Sequence, residues 1–103
     1  MYAVVRRYEG VTNVKEAVRQ VNEGLATLVS QHPGFIDYIL VDSGGGGAIA
    51  ISIFLNQADA EESNRRVSDW VRENLATLVP QPPQITAGEV IAYMELWIGT
   101  SSA

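Results

Sequence analysis

Val21-Asn22-Glu23-Gly24-Leu25-Ala26-Thr27-Leu28-Val29-Ser30-Gln31-His32-Pro33 returns 50 residues later as Val71-Arg72-Glu73-Asn74-Leu75-Ala76-Thr77-Leu78-Val79-Pro80-Gln81-Pro82-Pro83. Nine of the thirteen positions are identical, among them the run Leu-Ala-Thr-Leu-Val. In each copy, apolar residues at helical spacing give way to a break and then to an apolar strand-like run. A pattern that recurs once across half of a 103-residue chain reads as two similar supersecondary units sharing one core.

The first helix opens at Asn13, with Glu16 three residues on. That is a capping arrangement in which the Asn13 side chain accepts a free backbone N–H. Val14, Ala17, Val18, Val21, Leu25, Leu28 and Val29 then form one apolar stripe. Gly24 inside that stripe costs about 1 kcal/mol relative to Ala, so close packing of the helix on the sheet is expected there. His32 stands in the last turn, before Pro33-Gly34. Upstream, Tyr2 to Glu9 reads as a strand ended by Gly10. Downstream, Phe35 to Asp42 reads as a strand with Phe35, Asp37, Ile39 and Val41 on one face and Ile36, Tyr38 and Leu40 on the other. Ser43 to Gly47 is read as a hairpin turn. A phosphate loop would need a helix after it, and here a strand follows. That strand, Ala48 to Leu55, alternates Ile49, Ile51, Ile53 and Leu55 against Ala48, Ala50, Ser52 and Phe54.

The second helix is expected from Ala58 to Val79, capped by Asn56 or Asp59 and stopped by Pro80, Pro82 and Pro83. Ala60, Val67, Val71, Leu75 and Leu78 mark its buried stripe. A last strand is expected over Ile85 to Trp97, with an irregularity at Gly88, and Gly99 to Ala103 reads as a loose tail. The order β-α-β-β-α-β in a single domain, residues 1–98, is the ferredoxin-like α+β arrangement: a four-stranded antiparallel sheet with two helices on one face. The other face still carries large apolar side chains. We therefore expect a homodimer through the open sheet face, two sheets packed together about a two-fold axis.

Composition removes several functions. A net charge of −5 argues against nucleic acid as a partner. The chain has no Cys, which excludes disulfides and thiolate metal sites. No apolar run has the roughly 18–20 residues of a membrane span, and no signal-peptide pattern opens the chain, so a cytoplasmic protein is expected. No metal, nucleotide or nucleophile motif occurs, and no bound cofactor is expected.

Pro33-Gly34-Phe35 at the start of the second strand, with Ala60-Glu61-Glu62-Ser63-Asn64-Arg65 and Asp69-Trp70-Val71-Arg72-Glu73-Asn74-Leu75 on the second helix, resembles the antibiotic biosynthesis monooxygenase-like (ABM) domains of the dimeric α+β barrel superfamily. The resemblance covers residues 2 to 95 and is carried by residues that largely report fold. It implies a small-molecule role. Members of this family include cofactor-independent oxygenases acting on polycyclic quinol-type substrates, haem-degrading enzymes and proteins of unknown role. Haem degradation relies on a His ligand on the second helix with Asn and Trp nearby. Here that helix carries Trp70 but no His, and Arg6 or Arg7 stands at the early strand position where Asn would be wanted.

Cofactor-free oxygenation asks the protein for a dry pocket, hydrogen-bond donors and a base. The residue types suited to catalysis are Asn64, Trp70 and His32, and those suited to holding a small aromatic substrate are Tyr38, Tyr93 and Ser52. Each has a structural alternative. His32 suits a helix C-terminus, Trp70 suits helix packing, Asn64 turned toward the core can serve a structural hydrogen bond, and Tyr38 and Tyr93 can pack with strand neighbours. A small-molecule pocket predicts an apolar cavity of roughly 300 Å³ or more. A non-catalytic dimeric binding or scaffold domain, and a ferredoxin-like ligand-sensing domain using Gly44 to Gly47, are the two competing functions.

Overall fold

Alternating inward and outward residues make β1 (Tyr2–Tyr8) an interior strand of the sheet. The computed structural model describes residues 1–95, so residues 96–97 of the expected last strand and the tail from Gly99 lie outside the described residues. A helical run follows β1 in three segments: α1 (Val14–Gln20), a π-helical turn (Val21–Leu25) and α2 (Ala26–Ser30). The hairpin β2 (Phe35–Gly44) and β3 (Gly47–Phe54) comes next, then α3 (Gln57–Asn74) and β4 (Gln84–Glu89). All strand pairs are antiparallel, in the order β2-β3-β1-β4. This is the expected ferredoxin-like α+β fold.

Both helix starts are capped by asparagine. Asn13 accepts from the Glu16 N–H at 3.1 Å, and Asn56 accepts from the Asp59 N–H at 2.9 Å, so Asn56 is the cap of α3. The hairpin turns on Gly45-Gly46, both at positive φ (+61° and +81°), the backbone of a two-residue type I′ turn. The Gly46 carbonyl accepts from the Val11 N–H at 2.9 Å, which ties the turn to the start of the helical layer.

The echoed pentapeptide adopts two conformations. Residues 25–29 are helical, whereas 75–79 are not, although the second helix is read from sequence as reaching Val79. α3 stops at Asn74, whose side-chain N–H₂ donates to the Trp70 carbonyl at 3.0 Å. Leu75 to Val79 closes as a turn, Leu78 and Val79 both bonding back to the Leu75 carbonyl, and the Leu78 carbonyl accepts from Thr12 at 3.0 Å. Pro80 biases the residue before it away from helix, which Ser30 in the first copy does not.

Three further expectations change. Gly88 pairs regularly with Ala3, and the irregularities lie instead in β2, between Phe35 and Asp37 and between Asp42 and Gly44. The first of these moves Phe35 off the face of Ile39 and Val41. Phe35 pairs opposite Phe54 and packs edge-on against its ring at 6.0 Å between centroids. β4 ends at Glu89, not in the tenth decade of the chain. After Val90 donates to the Met1 carbonyl, residues 91–95 make no strand pairing.

The register assigns the two faces. Tyr2, Val4, Arg6 and Tyr8 of β1 share the helix-covered face with Ala48, Ala50, Ser52 and Phe54 of β3 and with Tyr38 and Leu40 of β2. Val4, Leu25, Val29, Phe54, Val67 and Leu75 form the buried centre there. The opposite face carries Val5, Ile39, Val41, Ile49, Ile51 and Ile53, with Ile39 49% exposed.

Candidate functional site

The alternation that buries Val4 also buries Arg6. Its side chain is 1% exposed, beneath the helices and opposite Ala50. Its Nη2 donates to Asn64 Oδ1 on α3. Its Nε and Nη1 have no hydrogen-bond partner among the described residues. The ion pairs among those residues all lie on helix surfaces, and none includes Arg6. A guanidinium out of water without a carboxylate costs several kcal/mol by the usual balance of desolvation and pairing. Burial accordingly lowers the Arg6 pKa, with the neighbouring Tyr8 and Tyr38 opposing that effect.

Two phenols and a hydroxyl complete the group. Burial raises the Tyr8 pKa, with Arg6 pulling the other way. Burial first, then Tyr8, pushes Tyr38 up to about 12, again against Arg6. Both are therefore neutral phenols at neutral pH, able to donate hydrogen bonds. Ser52 stands opposite both Tyr38 and Val4, is 1% exposed, and its Oγ has no partner. Orphaned buried polar atoms are rare in folded proteins, and three lie on these two adjacent strands.

An apolar cavity adjoins Tyr8 and Tyr38; Arg6, Ser52 and Asn64 are not among its walls. It is about 50 Å³ and is walled by Tyr8 and Tyr38 from the sheet, Val21 and Leu25 from the π-helical turn, and Val67 and Val71 from α3. That is well under the 300 Å³ expected, because the helices close down on Ala48 and Ala50. Two open grooves of about 450 Å³ share its walls. One, between α3 and β4, shares Tyr8, Val71 and Val79; the other, between α1 and the β2–β3 hairpin, shares Val14, Tyr38 and Leu40. An aromatic ring exceeds the cavity alone and reaches its full volume only by extending into a groove.

The structure brings Asn64, Tyr38 and Ser52 together around Arg6. The other candidates lie elsewhere. Trp70 packs against the backbone of Gly24, where an added Cβ would sit 2.8 Å from its Cζ2; the close approach at Gly24 is thus to a helix, not to the sheet. His32 meets the Phe54 ring edge-on at 5.6 Å and is not a cavity wall. Tyr93 donates to the Asp37 carboxylate on the open side of the sheet, and that bond pushes its pKa up to about 12. Sequence reasoning missed Arg6 and Tyr8 as site residues. The signal was present in parity: Arg6 and Tyr8 lie two and four residues from Val4, on the same side of a period-two strand.

The sequence matches no protein-family model and no curated protein. Solved structures do match. A Nitrosomonas europaea protein of unknown function superposes with a TM-score of 0.73 at 20% identity, over 95% of each chain. The Streptomyces coelicolor monooxygenase from the gene ActVA-Orf6, in complex with nanaomycin D, gives 0.70 at 16% identity, over 93% of this chain and 92% of that one. A MhuD variant with two manganese protoporphyrin IX molecules per active site gives 0.68 at 10% identity, over 92% and 99%. The chain thus has the fold of the antibiotic biosynthesis monooxygenase-like proteins. Its structural neighbours include a monooxygenase and a porphyrin-bound protein, and both hold small molecules. Among the described residues no helix is long and apolar enough to cross a membrane.

Proposed function

We propose that this chain binds a small aromatic or apolar molecule between its sheet and its helices and oxidises it as a cofactor-independent monooxygenase. The observation that carries the reading is an apolar cavity walled by Tyr8 and Tyr38, the two phenols that neighbour the buried Arg6–Asn64 pair. Ligand sites combine an apolar lining with a few convergent polar groups in this way. The monooxygenase named among the structural neighbours supports the choice of reaction.

In such a reaction an electron-rich hydroxyaromatic loses a proton, and its anion passes electrons to O₂. A C–O bond forms, and the resulting hydroperoxide loses water to leave a carbonyl. A CH₂ and one O₂ become C=O and H₂O. The protein's part is to exclude water and to stabilise the oxyanion by fixed donors. Tyr8 and Tyr38, neutral at working pH, suit donation and not proton abstraction.

The same proposal includes a two-fold homodimer through Val5, Ile39, Val41, Ile49 and Ile51. Light scattering behind a sizing column is expected to give twice 11.2 kDa. A monomer at micromolar concentration contradicts the dimer.

Oxygen uptake with anthrones, whose reacting carbon is a CH₂, tests the reaction. The expected result is consumption of one O₂ per product, with one labelled atom from ¹⁸O₂ in the carbonyl. The small cavity favours a second reading, a non-catalytic binding domain. Saturable binding of those compounds without oxygen uptake selects that reading, and absence of binding rejects both.

A further inference from the structure

The buried guanidinium narrows the ligand class. We infer that the molecule held at this site is a small organic monoanion, an aromatic ring bearing one acidic oxygen group that pairs with Arg6. The inference rests on the ligand-site reading above and adds the charge of the ligand to it.

Arg6 is a cation with 1% exposure, no carboxylate partner among the described residues, and two nitrogens unused. A structural role would be served better by an apolar residue of similar volume, which packs without the desolvation penalty. Asn64 accepts from one edge of the guanidinium and fixes its plane, which makes Asn64 a positioning residue. The remaining N–H groups form the flat, forked donor set that matches a carboxylate or a phenolate. Ser52 Oγ, also buried and unused, lies on the neighbouring strand as a further donor.

A neutral ligand leaves the charge uncompensated. A phosphate monoester brings close to two charges and three oxygens to one cation among largely apolar walls. Arg6 is not itself a wall of the cavity, but Tyr8 and Tyr38, which are, neighbour it, and Ile85 of the α3–β4 groove pairs opposite it. A single anionic group on an apolar ring would therefore place its charge toward Arg6 and its ring among these walls. Of the two flanking grooves, the one between α3 and β4 has no carboxylate on its walls, whereas the other carries Asp42. The ring therefore extends toward Val71, Val79 and Ile85.

The test is calorimetric titration of the wild-type chain with 1-naphthoate and with 1-naphthamide, isosteres that differ in charge. The acid is expected to bind about 10- to 100-fold more tightly, the range for a charge-assisted hydrogen-bond pair. In Arg6→Gln the preference collapses, and in Arg6→Lys part of it returns. 4-Nitrophenol, titrated on either side of its own pKa, separates phenolate from carboxylate recognition, because only the former gains affinity on ionisation while naphthoate stays weak. Equal binding of acid and amide overturns this inference and leaves the ligand site standing, as does a preference that survives in Arg6→Gln. Binding of none of the probes at millimolar concentration overturns both. If Arg6→Gln does not fold, the wild-type acid-to-amide ratio still decides.

Discussion

Replacing Gly24 by Ala sets two effects against each other at one atom. In a helical interior Ala is favoured over Gly by about 1 kcal/mol. Here the new Cβ would stand 2.8 Å from Trp70 Cζ2, 3.3 Å from Cε2 and 3.4 Å from Nε1. Carbon atoms rest at about 3.5–4.0 Å, so the indole must retreat by roughly 0.7–1.2 Å. It is a partly buried side chain packed against the main core cluster, so retreat gives up core contacts. Overpacking of this kind costs about 1–3 kcal/mol, so the variant is expected to lose about 1 kcal/mol net, or about 4–8 °C in Tm for a domain of this length. In a Trp70→Leu background the obstruction is gone, and the same Gly24→Ala change is expected to stabilise by up to about 1 kcal/mol. Urea unfolding of the four proteins in this cycle gives the coupling, expected at about 1–3 kcal/mol. Equal effects of Gly24→Ala in the two backgrounds would refute the contact, and with it the assignment of Trp70 to helix packing.

Arg6→Met, which removes an unpaired buried charge at the cost of one bond to Asn64, is expected to raise the stability of the ligand-free protein by about 1–3 kcal/mol in urea unfolding. A loss of stability would mean that the guanidinium is already compensated. Asn56→Ala deletes the cap of α3 and is expected to cost about 1 kcal/mol by the same assay; no change would show the cap to be idle. Tyr38 titrates near 12 in the folded chain against 10 in the ordinary phenol. Its contribution to stability is therefore complete below pH 10 and is lost as pH rises from 10 through 12. Tyrosinate absorbance near pH 12 should carry both Tyr38 and Tyr93, and Tyr38→Phe should remove the Tyr38 share while the Tyr93 share stays; an amplitude near pH 12 unchanged in Tyr38→Phe contradicts the burial of Tyr38 beside Tyr8.

Periodicity carried the fold. The stripes of the two helices, the β3 alternation and the glycine turn each demand one element, and together they leave one order of strands and helices. What failed depends on contacts that periodicity does not encode. The same Leu-Ala-Thr-Leu-Val is helical after Gly24 and broken after Asn74, because the Asn74 side chain, Pro80 and the bond from Thr12 to Leu78 close the second copy as a turn. Phe35 changed face because one bulge shifts parity, a feature with no residue signature in that stretch. At the site, Asn64 and Ser52 were legible as polar residues among core-facing neighbours. Arg6 was not, since an arginine beside a second arginine reads as solvent-facing whichever of the two points inward. Parity ties Arg6 to Val4 and Arg7 to Val5, and the pairing with β3, which puts Val4 and Arg6 on the face of Ser52 and Ala50, shows which pair is buried.

If Arg6 is the charged contact of a ligand site, its guanidinium must respond when an anionic ligand binds. Its Nε–Hε signal in a ¹⁵N-labelled sample, followed through a titration with 1-naphthoate, tests this most directly. A saturable shift of Arg6 Nε–Hε is expected, with the surface-paired Arg19 unmoved. An Arg6 signal that stays in place while the probe binds elsewhere, or at a titration end point with no binding at all, contradicts it.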